Sequence, residues 1–284
     1  MDRVEPPRAA FLRACQLDVE TRKPGNVSVA SAGHGMTAAQ FIASAQAAAA
    51  GLFIARASVG ERILDAVRRS FDSVSCNTNL GIVLLAAPLC AALELVPQDE
   101  PATAARWHEA TRRVLDALDI DDARLAYRAI ALANPGGLGE ASEQSVHAPP
   151  TVTLRAAMTL AAGRDSIARQ YAEGFADIFA AGSDLESAMT PDAQQRAMLD
   201  GFLMFLSHWP DSHIVRKQGA ALAQSVTRDA ALQRARWREA GRPAQSAALD
   251  LWDAELKTHG INPGTSADLA VATLFVALTI QSAS

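Results

Sequence analysis

Two stretches of this chain are apolar on every side of a helix. Leu80 to Leu93 reads LGIVLLAAPLCAAL, and Leu269 to Ile280 reads LAVATLFVALTI, with Thr273 and Thr279 as its only polar interruptions. A helix without a polar face has to be surrounded. Alternating Val, Ile and Thr runs joined by hairpin turns are nearly absent, so the cover must come from other helices rather than from a sheet. Those helices can approach closely, because the chain is 49% hydrophobic, rich in Ala and only 5% aromatic. Ala is the best helix former and keeps helix axes near one another. The expected fold is all-α, a single compact multi-helix domain over residues 1–284.

Helical patterns are read at 8–19, 38–53, 61–71, 80–93, 102–118, 123–133, 154–162, 166–180, 192–209, 212–237 and 247–258, with a closing helix after Gly264. Thr37 is placed to cap the second, and Thr265-x-x-Asp268 reads as a variant capping box for the last. Pro88 is expected to kink or end its helix. Lys23-Pro24-Gly25-Asn26 stops the first helix, and Asn134-Pro135-Gly136-Gly137-Leu138-Gly139 reads as a mobile loop. That loop follows a helix rather than a strand, so it is not a dinucleotide fingerprint.

Charge and cysteines exclude whole classes. The formal net charge is −5 and no basic run exceeds a pair such as Arg68-Arg69, which leaves nucleic acid no electrostatic footprint. Cys15, Cys76 and Cys90 are widely spaced, with neither a disulfide framework nor a zinc pattern, as in a reducing compartment. The first residues, MDRVEPPRAAFLRACQLDVE, lack a secretory apolar stretch. The run Leu80–Leu93 falls short of the roughly 20 residues a membrane span needs. A soluble, cytoplasmic protein without a membrane partner is expected; oligomeric state is not legible.

Four polar clusters stand at breaks beside apolar helices. They are Glu20-Thr21-Arg22-Lys23-Pro24-Gly25-Asn26, Asn77-Thr78-Asn79-Leu80-Gly81, Asp211-Ser212-His213-Ile214-Val215-Arg216-Lys217 and Asn262-Pro263-Gly264-Thr265-Ser266-Ala267-Asp268. Helix N-termini present unpaired N–H groups and positive partial charge, which attract phosphate. Lys23, Arg216 and Lys217 would add whole charges, while Glu20, Asp211 and Asp268 offer oxygen to magnesium. Each cluster, taken singly, is an ordinary cap or turn. Two of them head helices that look buried all round, where polar groups must be paired or face an internal cavity. His34, in Gly33-His34-Gly35, and His213 are second-rank acid candidates. No Gly-x-Ser-x-Gly elbow is present.

KPGNVS (23–28), GHGMTAAQFIASA (33–45), NTNLGIVLLAAPL (77–89), DSHIVRKQG (211–219) and NPGTSADLAVATLF (262–275) together resemble the triphosphoribosyl-dephospho-CoA synthase family, from Leu17 to Thr279. The resemblance implies an all-α fold and transfer of a ribosyl group from ATP to dephospho-CoA with loss of adenine. It also implies that Lys23, Arg216 and Lys217 bind phosphates alongside Gly25, Asn26, Thr78, His213 and Gly264. Asn77, Asn79, Thr265 and Ser266 would position the substrates by hydrogen bonds. Glu20, Asp211 and Asp268 would share magnesium and base duty, with His34 assisting.

Where family members that serve carrier proteins have Asn-Thr-His-Lys-Gly, this chain has Asn77-Thr78-Asn79-Leu80-Gly81. The NTNLG, ANPGGLG (133–139) and APPTVTLRAAM (148–158) segments look more like relatives in methanogens and methylotrophs. Those relatives accompany tetrahydromethanopterin-linked one-carbon metabolism. The likeness implies an alternative, in which phosphoribosyl pyrophosphate is the donor and a pterin-pathway ribitol the acceptor. A magnesium-dependent nucleotide or N-glycoside hydrolase and a catalytically dead binding protein are the readings from other classes.

Overall fold

The computed structural model describes residues 5–30, 35–97, 102–135, 144–146, 148–185 and 190–283. Among them run α1 (Glu5–Glu20), α2 (Ala38–Leu52), α3 (Val59–Val74), α4 (Leu80–Leu93), α5 (Ala104–Ala117), α6 (Ile120–Ala133) and α7 (Leu154–Ala161). The second half holds α8 (Ser166–Glu173), α9 (Ala176–Leu185), α10 (Pro191–His208), α11 (Ser212–Gln218), α12 (Ala220–Glu239), α13 (Ala247–Thr258) and α14 (Gly264–Ala283). No β-strand element occurs among the described residues, and the fold is all-α.

The two helices without polar faces are the ones the others enclose. α14 packs against α1, α4, α9, α10 and α11, and α4 lies against α3, α5 and α14. The segment Gly264–Gln281 is long and apolar enough to cross a membrane, yet 78% of it is buried inside the protein, so it serves as a core helix. Its polar interruptions cost little: Thr273 and Thr279 donate their hydroxyls to the carbonyls of Leu269 and Phe275, four residues back. Phe275 anchors the centre, meeting Phe11, Phe53 and Trp107 edge to face at centroid distances of 5.4–6.3 Å.

Glycine and backbone strain account for the main departures from the sequence pattern. The single helix expected over 166–180 is two, broken where Gly174 and Phe175 take φ of 72° and 62°. The helix expected from Asp211 towards Trp237 is likewise broken at Gly219, with φ 93°. Pro88 does not end α4, which runs on to Leu93. Thr37 does form a capping box with Gln40. Thr265 and Asp268 do not form one: α14 starts at Gly264, which leaves Asp268 as its fifth residue, past the reach of a cap.

Candidate active site

With Asp268 released from capping, what satisfies the start of α14 becomes the question. The answer is Asp211. One of its oxygens accepts from the backbone N–H groups of His213 and Ile214, at 2.9 and 3.2 Å, and so caps α11. The other accepts from the backbone N–H and the hydroxyl of Ser266, both at 2.7 Å. One carboxylate, 2% exposed, therefore holds two helix N-termini together. Burial lifts its pKa above the ordinary carboxylate value, and these hydrogen bonds hold it down.

That junction borders a cavity of about 440 Å³. α11 contributes His213, Arg216 and Lys217 to its lining, and α14 contributes Gly264, Ala267 and Asp268. The imidazole of His213 lies against Gly264: a methyl group there would come within 3.3 Å of Nδ1. Arg216 donates to Asp165 at 2.7 Å, and Asp165 in turn caps α8 through the N–H groups of Ile167 and Ala168. Ser212 accepts from the Ser166 backbone at 2.8 Å, tying α11 to the same helix.

The N-terminal clusters reach the cavity from the other side. Asn77 accepts from Leu80 N–H, the first of α4, at 3.2 Å, and Asn77, Thr78, Leu80 and Gly81 line the wall. Thr78 donates to Ser44 and Asn79 to Ser70, which fastens this loop to α2 and α3. Asn26 lines the cavity and donates to Asn262 at 3.0 Å, joining the first cluster to the last. Gly25 makes that contact possible: with φ 79°, a Cβ there would stand 2.8 Å from the Ile261 carbonyl oxygen.

Asp268 is the singular group. Among the described residues its carboxylate accepts no hydrogen bond, although it is half-buried and faces the cavity. Gly81 presses its backbone against it, so closely that a methyl group would lie 2.0 Å from Oδ2. Burial, then the neighbouring charges of Asp18 and Asp211, push its pKa well above the usual carboxylate range, with Arg216 pulling the other way.

The expected site residues thus divide. Asn26, Asn77, Thr78, His213, Arg216, Lys217, Gly264 and Asp268 line one cavity. Glu20 is not among its lining residues; it turns outward to Arg13 and Gln16, at 2.9 and 2.5 Å. Lys23 is fully buried behind the wall, paired with Asp18 at 3.0 Å. Asn79, Asp211, Thr265 and Ser266 are buried supports, and Gly25 is a packing contact. His34 and the loop 136–139 lie outside the described residues. Asp18, Arg164 and Asp165 line the cavity without having been singled out in the sequence. Asp18 was findable: it follows Phe11, Ala14 and Cys15 at helical spacing on the buried face of α1, where Glu20 does not lie.

A magnesium ion keeps several waters and takes only one or two carboxylates together with substrate phosphates. Among the described residues no group of three His, Cys, Asp or Glu could hold a metal alone. Asp165 is occupied by its cap and by Arg216, and Asp211 by its donors. Asp18 is paired with Lys23 through one oxygen, and Asp268, unengaged beside it in the lining, completes a carboxylate pair that fits the sparser magnesium arrangement.

The helices thus enclose a cavity whose lining carries cations and an unengaged carboxylate, a combination able to hold a charged small molecule. Comparison with known families places the chain among the transferases. Residues 5–284 match the model of the ATP:dephospho-CoA triphosphoribosyl transferase family, and the chain belongs to that family. Among solved structures, an Archaeoglobus fulgidus protein assigned as a triphosphoribosyl-dephospho-CoA synthase is similar, with a TM-score of 0.65 and 24% identity. The match covers 86% of this chain and 100% of that one, and at such identity it speaks to the fold alone. Comparison with curated proteins finds no match.

Proposed function

We propose that this chain transfers the triphosphoribosyl group of ATP to the 2′-hydroxyl of dephospho-CoA, in the presence of magnesium, and releases adenine. The observation that carries the reading is Asp268, a carboxylate without a hydrogen-bond donor among the described residues. It faces a cavity whose lining also holds Arg164, Arg216 and Lys217. The bond between ribose C1 and the base nitrogen breaks, and a bond from the acceptor oxygen to C1 forms. The hydroxyl loses one proton and the departing adenine gains one, so the reaction balances.

Each step asks something of the residues present. Arg164, Arg216 and Lys217 neutralise the phosphates, and the start of α4, with Leu80 and Gly81 in the lining, adds partial positive charge; the starts of α8 and α14 are already satisfied by Asp165 and Asp211. Asp268 is placed to take the hydroxyl proton or to hold magnesium; burial raises its carboxyl pKa in the metal-free site, and a bound magnesium would lower it. Asp18 and Asp268 would hold magnesium, which when bound supplies positive charge to the phosphates. Lys23 orients Asp18, and Asp211 orients the helices that carry His213 and Asp268.

A second acceptor is favoured by one observation: Leu80 faces the cavity, uncharged, from the NTNLG segment. It leaves that wall without a cation for the diphosphate of dephospho-CoA, and suits a neutral ribitol of the pterin pathway, with ATP or phosphoribosyl pyrophosphate as donor. Mass spectrometry of products decides, with each donor offered alongside each acceptor. Triphosphoribosyl-dephospho-CoA is the expected product. Its absence beside a ribosylated pterin precursor would transfer the assignment to the second acceptor. Release of adenine or phosphate from ATP alone would make the chain a hydrolase.

A further inference from the structure

The cavity has a second half that the proposed chemistry leaves unused. Beyond Leu80, its wall is built by Tyr127 of α6, Leu154, Met158 and Leu160 of α7, and Ile167 of α8. None of these five side chains is charged; Arg164 and Asp165, between α7 and α8, are the charged lining residues next to them in the chain. Two polar side chains of the lining, Tyr127 and Gln144, are already engaged. Tyr127 donates its hydroxyl to the Gln144 carbonyl at 3.0 Å, and the Gln144 amide exchanges hydrogen bonds with the hydroxyl and backbone N–H of Thr151.

The same wall leaves apolar surface uncovered. In α7 only Leu154 is buried; Met158 is half-buried and Leu160 is 56% exposed, though both line the cavity. Met158 packs partly against the core and Leu160 stands at the open side of the cavity, and apolar side chains that line a cavity without being fully covered are characteristic of a ligand wall. A polyphosphate has no partner there. A flat, uncharged ring does, since an aromatic face, a thioether and branched aliphatics all bind it by contact.

We infer that this compartment is the subsite for the heteroaromatic base of a nucleoside triphosphate donor, held by Tyr127, Met158 and Leu160 while its phosphates meet Arg164, Arg216 and Lys217. The inference rests on the ribosyl-transfer reading and selects between its two donors. A ribosyl pyrophosphate carries no base and would leave the apolar half of the cavity empty. The base departs from C1, so a compartment that receives it must adjoin the carboxylate end, and Leu80 and Gly81 span the two.

The test is calorimetric, on the full chain with magnesium, using ATP, phosphoribosyl pyrophosphate and inorganic tripolyphosphate as donor-side probes and dephospho-CoA as the acceptor probe. Leu160→Glu is the primary variant, because an exposed position accepts it without unfolding; Met158→Glu is the second. Both should weaken ATP at least tenfold while tripolyphosphate binding stays within twofold of the parent. Unchanged ATP affinity in both folded variants would overturn the base subsite. So would a loss confined to dephospho-CoA, which would assign the wall to the acceptor. Parent protein that binds phosphoribosyl pyrophosphate at least tenfold more tightly than ATP would overturn it as well. If the parent binds none of the three, the ribosyl-transfer reading itself fails, an outcome separate from the loss of the apolar subsite.

Discussion

At the scale of single residues, Asp268 sets a conflict between stability and activity. Its folded-state pKa lies above the unfolded value, so the unfolded chain releases this proton first as pH rises. The folded state therefore loses stability from the ordinary carboxylate pKa of about 3.9 upward, until Asp268 itself ionises. Asp268→Asn should lower turnover at least a hundredfold. In chelator-treated protein it should also melt higher than the parent, by a margin that widens as pH is raised from 4. Thermal melts across that range, beside turnover at neutral pH, check both halves; a melt that drops with activity retained would remove Asp268 from the chemistry. Gly81 gives the matching experiment. Gly81→Ala drives a methyl into the Asp268 carboxylate and should cost about 1–3 kcal/mol, as overpacking does. Adding Asp268→Ala should return part of that stability without returning activity, read by urea unfolding. Neither contact was visible in NPGTSADLAV, where the acid reads as a cap. The capping-box reading starts the helix two residues later than the structure does, and two residues decide whether Asp268 caps the helix or leaves the cap. Arg62 shows the same limit: its sequence position suggests a polar face, yet it is buried, donating to the carbonyls of Leu52 and Ala57 and pairing with Glu94.

Between elements, the informative bond is the one from α11 to α14. Asp211→Ala removes the acceptor from two helix starts at once. A single cap is worth about 0.5–2 kcal/mol, so the loss should be about 1–4 kcal/mol by equilibrium unfolding. Asp211→Asn retains one acceptor oxygen and should lose less. Activity should fall in both, because His213 and Asp268 shift with their helices; unaltered turnover in a destabilised Asp211→Ala would detach the junction from the site. The sequence did mark the elements well, since Leu80–Leu93 and Ala247–Thr258 match their helices end to end. It was silent on Asp211 serving a second helix, because an N-cap motif describes only the helix that follows it in sequence.

For the whole molecule, the cavity exists because several helix starts converge, a property no local pattern encodes. All-α class was legible from periodicity and composition; which polar clusters would face inward was settled by packing. The far layer shows how much stability can hang on one buried charge. Asp200 of α10 is 5% exposed and meets Arg234 and Arg238 of α12, with Arg242 just beyond it, at 2.8, 2.7 and 3.4 Å. Burial raises its pKa, but the hydrogen bonds from Arg238 and Arg234 outweigh it and the net shift is downward. Its contribution is therefore present above about pH 4 and lost as pH falls through the depressed folded value. Asp200→Asn should destabilise the protein at neutral pH and flatten the acid side of its stability profile, as denaturant unfolding between pH 2 and 7 would register.

The position of α14 in the chain has a consequence for biosynthesis. The helix at the centre of the core is translated after the thirteen others described. Until it emerges from the ribosome, α1, α4, α9 and α10 have no partner for their inner faces. A chain in which the earlier helices have formed without α14 exposes the apolar surfaces that α14 covers, a condition that favours aggregation.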